Sequence, residues 1–189
     1  MVRLSQLEYL DLALYRERVL PGILEQVVSC RDAISQYGSN TIDCTPWITE
    51  YLMECVIQVF ADEFHLATLR EFLEACGELH DGVNMKKVLS CVMERVQALA
   101  STGGTELFSL FADTAQKLIL ERQMPPENVI SLHYSLASLA FKCYPERVDC
   151  ASMVFDSLLN TIQQKDITEC RVAASLLQTM VDRGCTSRH

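Results

Sequence analysis

The sequence predicts an all-α protein built from short helices that double back on one another, and three observations carry this. Apolar residues recur at the three- and four-residue spacing of one helix face along almost the whole chain. No stretch alternates apolar and polar residues at the period of two that a half-buried strand needs. Breaks in the helical pattern are short and fall about every twenty residues, so neighbouring helices should run antiparallel.

Leu4, Leu7, Leu10 and Leu14 form the first stripe, interspersed with charge and without the continuous apolar region of a secretory leader. Leu66, Leu69, Leu73 and Cys76 form another. It should close at Asp81-Gly82, where glycine permits the left-handed turn that ends a helix. Val88, Val92, Val96 and Leu99 lead to the next break, Gly103-Gly104. Pro125 and Pro126 interrupt the chain before Val129, Leu132, Leu136 and Leu139. Pro145 suits a first helical turn, because its missing N–H has no partner there, and it precedes Val148, Ala151, Phe155, Leu158 and Ile162. Asp166 and Glu169 have capping-box spacing ahead of Cys170, Ala173, Leu177 and Val181. The interior should contain Leu66, Leu69, Val92, Val96, Leu132, Leu136, Phe155 and Leu158. Helix starts near Val83, Thr105, Glu127, Pro145 and Asp166 make a helix pair repeat at about 40 residues, the period of HEAT or armadillo arrays, and a closed bundle fits the same spacing.

Tyr37 to Thr49 reads differently. Gly38, Ser39, Asn40, Asp43 and Pro46 leave it no helical stripe, so it should be a loop. It holds the single tryptophan, Trp47, which either tucks against a neighbouring helix or anchors a partner.

A net charge of -9 opposes binding to nucleic-acid phosphates or anionic lipid. No apolar run approaches the roughly 20 residues of a membrane span. Nine cysteines without a leader read as reduced thiols, an odd number that cannot pair completely. Neither C-x-x-C nor H-E-x-x-H occurs, so no metal site is expected. Cys76 and His80, four residues apart with Glu78 and Asp81 nearby, have the spacing of a thiolate–imidazole pair. The plainer reading makes Cys76 part of an apolar stripe and His80 an imidazolium in a last helical turn. Glu63 and His65 read as helix-start residues, and Gly103-Gly104 lacks the lysine of a phosphate-binding loop. No catalytic, cofactor or metal residue is assigned.

Three stretches carry a resemblance: GILEQVVSCRDAIS at Gly22 to Ser35, EYLMECVIQVFADEFHLATLREFLEACGELH at Glu50 to His80, and MPPENVISLHYSLASLAFKCYPERV at Met124 to Val148. They resemble the family of the large α-solenoid subunit of retromer, weakening between Lys87 and Glu121 and after about Asp149. The resemblance implies a HEAT-like α-solenoid over residues 1–189, a single partial domain. It also implies a non-enzymatic scaffold for endosomal sorting and retrograde transport. Its partners would be an arrestin-like and a metallophosphoesterase-like subunit, sorting nexins and cargo tails. The family's Pro-Arg-Leu-Tyr-Leu stretch and its C-terminal superhelix, which hold the two subunits, have no counterpart in this sequence. The family passes directly from the segment matched by Ala33 to Gln36 into the one matched at Glu50, which makes residues 37–49 an insertion expected to be dispensable for the fold. A freestanding helical module that binds a peptide or helix in a groove is the alternative from another class.

Overall fold

The computed structural model describes residues 10–33, 45–97 and 106–164. The backbone packs as two compact units, Met1–Leu99 and Ala100–His189.

In the first unit Asp11 caps α1 (Leu12–Leu14), its carboxylate accepting from the Leu14 N–H at 2.7 Å. The chain continues through a π-helical turn (Tyr15–Val19), in which the Leu20 N–H reaches back to the Tyr15 carbonyl, into α2 (Leu20–Ala33). Pro21 accounts for the slip: it has no N–H for the ladder, and its ring crowds the carbonyl four residues back. The turn directs Tyr15 inward, fully buried, with ring centroids 4.5 Å from Phe60 and 4.9 Å from Phe64. Burial pushes its phenol up to about 12.

α3 (Thr45–Val59), α4 (Asp62–Ala67), α5 (Leu69–Glu78) and α6 (Met85–Gln97) complete the unit. Met53, Val56 and Ile57 are the buried side of α3, with buried Phe60 just past its end, and Val88, Val92, Met93 and Val96 are that of α6. Lys87 of α6 pairs with Glu50 and Glu54 of α3, while Arg95 reaches Phe60 and Asp62, so α3 and α6 run the same way. His65 meets Ile57 across the bend, so α4 runs against α3.

The second unit repeats this alternation with α7 (Glu106–Glu121), α8 (Pro126–Cys143) and α9 (Val148–Gln164). His133 of α8 meets Ser157 of α9 near mirror positions across their connection, which makes the pair antiparallel. Phe108 meets Tyr144 at 6.3 Å across the α7–α8 pair. Leu118, Ile119, Val129, Leu132, Leu139 and Val154 fill the interior.

Several expectations need correction. Thr45–Thr49 is not loop but the start of α3, with Pro46 at the second helical position, where a missing N–H costs nothing. Residues 37–44 lie outside the described residues. Cutting out 37–49 would therefore remove the first turn of α3 together with buried Thr49. The stripe from Leu66 to Cys76 is two helices. Thr68 leaves helical geometry at φ -120°, ψ 20°, and its hydroxyl donates to the Phe64 carbonyl at 2.8 Å. Leu66 and Phe155 are half-buried, whereas Leu69, Val92, Val96, Leu132, Leu136 and Leu158 are buried as expected. α9 begins at Val148, not Pro145, because Pro145 and Glu146 form a turn closed by the Arg147 N–H on the Tyr144 carbonyl. The Gly103-Gly104 break and the stripe from Cys170 to Val181 lie outside the described residues.

Gly82 serves a purpose other than the left-handed turn expected of it. A Cβ there would stand 2.8 Å from Cγ of Pro46, so glycine lets the α5–α6 connection lie against the start of α3. Gly82→Ala should therefore lower stability by about 1–3 kcal/mol, the usual cost of overpacking, and Pro46→Ala in the same chain should recover part of that loss. Chemical denaturation of the four proteins of that cycle measures the coupling.

Candidate protein interface

α3 is apolar on two sides. Its inner side is core, and its outer side is also apolar. Trp47, Ile48, Tyr51 and Leu52 fall at helical spacing on one face, and Trp47 is 80% and Tyr51 66% exposed. Trp47 is thus not tucked against a neighbouring helix. Pro46 and Thr49 take the inward positions of the first turn, which turns position 47 to solvent. Exposed aromatics gathered on one face are the residue types that anchor protein contacts. Toward α6 the patch gives way to a charged row: Lys87 Nζ lies 2.8 Å from Glu50 and 2.6 Å from Glu54. These hydrogen bonds, first to Glu50 and then to Glu54, hold the ammonium well above the ordinary lysine range.

The inner end of α3 is fixed by a polar corner that residue spacing did not reveal. The buried His65 Nε2–H donates to the Ile57 carbonyl at 2.9 Å, and Arg95 donates to the Phe60 carbonyl at 3.0 Å while lying 2.8 Å from Asp62. Burial, aided by the Arg95 charge, depresses the His65 pKa below its ordinary value. His65 is therefore a brace between α3 and α4, while Glu63 is exposed at the start of α4.

A second buried histidine joins all three helices of the other unit. His133 Nδ1–H donates to the Val129 carbonyl at 2.8 Å, leaving Nε2 of the neutral ring as an acceptor 3.1 Å from the Ser157 hydroxyl. The Gln116 side chain lies 2.7 Å from the same Ser157 oxygen. Ser157 has one proton for two neighbours. The neutral ring takes it, so the Gln116 amide turns its NH₂ toward the oxygen. Burial holds the His133 pKa low and keeps the ring neutral. The serine–imidazole distance suits a nucleophile and its base, but Ser157 sits inside α9, where its backbone N–H belongs to the helix and offers no oxyanion contact. The signal for this brace was a histidine at position 133 within the stripe Val129, His133, Leu136.

Cys76 lies in the core, and His80 lies beyond the helix that carries it. Cys76 is fully buried on α5 beside Phe72 and Leu73. His80 lies beyond the end of α5 and not in its last turn, and its Nδ1 accepts from the Gly82 N–H at 3.0 Å. Burial raises the Cys91, Cys143 and Cys150 thiols, opposite to the shift of an activated nucleophile. Among the described residues no three His, Cys, Asp or Glu side chains gather as metal ligands, and no helix is long and apolar enough to cross a membrane.

Helices packed in antiparallel pairs, α3 against α4 and α8 against α9, define in each unit the α-hairpins of an α-solenoid. The family model described as Vacuolar protein sorting-associated protein 35 matches residues 1–184. The chain belongs to this family. It is 32% identical over 188 residues to Vacuolar protein sorting-associated protein 35 of Dictyostelium discoideum, covering 94% of this chain and 22% of that protein. It is 37% identical over 171 residues to Vacuolar protein sorting-associated protein 35A of Arabidopsis thaliana (86% and 20%), and 38% identical over 168 residues to protein 35C of the same plant (84% and 20%). The chain thus spans about a fifth of the length of these curated relatives.

Two outcomes follow from this geometry. Trp47→Ser should change stability by no more than about 0.5 kcal/mol, because the side chain is outside the core, and iodide should quench the fluorescence of the single tryptophan readily. His65 and His133 are held neutral by burial, so their contribution is complete above the ordinary value of 6.5. It is lost as pH falls below that, because the unfolded chain takes up protons first. The melting temperature should fall on acidification from pH 6.5 down to the depressed folded values, and less steeply in His65→Gln/His133→Gln.

Proposed function

We propose that this chain serves as a stretch of non-enzymatic α-solenoid scaffold in retromer, the assembly that sorts transmembrane cargo at endosomes and returns it to the Golgi or plasma membrane. The match to the family over residues 1–184 carries this reading. The structure is in keeping with it: the polar side chains His65 and His133 are used as braces between helices. The partners of such a scaffold would be the arrestin-like and metallophosphoesterase-like subunits, sorting nexins and cargo tails, with the protein held peripherally at the endosomal surface. Trp47, Ile48, Tyr51 and Leu52 supply an apolar face for one such protein contact.

The test is affinity purification of the native polypeptide through an endogenous tag, with its size read on a denaturing gel. The two other retromer subunits should co-purify. Recovery of the protein without either of them would instead favour a freestanding helical module.

A further inference from the structure

We infer that the cleft between α7, α8 and α9 is a binding site for one apolar side chain, of leucine to phenylalanine size, presented by an extended peptide with a lysine or arginine beside it. The cleft has a volume of about 150 Å³, and an apolar cavity of roughly this size holds a benzene-sized body. Its walls are Phe108, Ala112, Leu136, Val154 and Met153. Met153 stands 53% exposed at the mouth, an adaptable side chain of the kind that re-packs around different ligands.

The polar groups in the cleft refine the choice of occupant. His133, Ser157 and Gln116 line it, but their hydrogen bonds run to one another and to the Val129 carbonyl, so they ask little of a ligand. This leaves the interior suited to an apolar group. Asp113 is different: it is exposed, lines the same cleft and brings a carboxylate, and no lysine or arginine is among the lining residues. A cationic neighbour in the peptide answers that charge. The chain's net charge of -9 would attract such a peptide from a distance, and it disfavours a second acidic copy as the occupant. The inference goes beyond the scaffold reading and does not depend on it, because the readout needs no retromer subunit.

The test uses the 189-residue chain and fluorescein-labelled hexapeptides followed by anisotropy. The probe is Gly-Lys-Leu-Lys-Gly-Ser. Its counterparts replace the leucine by serine or both lysines by glutamate. The leucine peptide should bind about tenfold more tightly than either counterpart. Ala112→Phe, which fills the cleft, and Met153→Asn, which makes its exposed mouth polar without adding charge, should each weaken binding by about tenfold with unchanged helical circular dichroism. Asp113→Lys should abolish the preference for lysine over glutamate while keeping that for leucine. Equal binding of the leucine and serine peptides would overturn the inference, as would wild-type affinity in a folded Met153→Asn. A dimer in sedimentation that Met153→Asn converts to monomer would also overturn it, by showing that a second copy fills the cleft.

Discussion

A helix ends with carbonyl groups that have no N–H ahead of them, and where such an end is buried the donors must come from elsewhere. At the end of α3 they come from two different helices. His65 of α4 serves the Ile57 carbonyl, and Arg95 of α6 serves the Phe60 carbonyl. Two donors from two directions set both the bend from α3 into α4 and the position of α6 alongside α3. Asp62 balances the Arg95 charge in a half-buried setting, where an isolated guanidinium would be costly. The aromatic contacts of Tyr15 with Phe60 and Phe64 span the same bend. Apolar burial supplies most of the driving force for such a unit, but it is non-directional, and this corner selects one arrangement of the helices.

The second unit reaches the same end from within its helices. His133 receives its tautomer from a carbonyl of its own helix and passes a hydrogen-bonding preference to Ser157 on α9 and Gln116 on α7. A relay of neutral groups avoids the desolvation cost of a buried ion pair and still fixes the rotation of three helices about their axes. Both units thus spend a histidine on architecture. This explains why the residue type most often sought in a catalytic site is present, buried and well partnered in a protein that belongs to a sorting family.

Much of this fold was legible in the sequence because amphipathic spacing is a property of single helices. Val88, Val92 and Val96, and likewise Leu132 and Leu136, are buried where their spacing placed them. What escaped depends on neighbours far along the chain. Thr68 leaves helical geometry while making a hydroxyl bond that Thr114 and Thr161 also make in unbroken helices, and Gly82 is explained by Pro46, a contact without a local signature. His65 carries no spacing signal of its own, and the place of His133 in the stripe Val129, His133, Leu136 marks it as buried without naming the carbonyl it meets. The exposed face of α3 was partly readable: Trp47, Ile48, Tyr51, Leu52 and Cys55 have helical spacing, hidden by the turn-forming residues before them. Thr45-Pro46 was the start signal that composition obscured.

The π-helical turn at Tyr15–Val19 has a consequence for the helix that contains it. An α-helix advances about 100° per residue, so a single wide turn puts the residues before and after it out of phase by about that angle. Upstream, Leu12 and Leu14 point outward, while downstream Leu20, Leu24 and Val27 share the buried side. The wide turn therefore changes the bearing of the side chains without a loop: the leucines before it face outward, and those after it face the core.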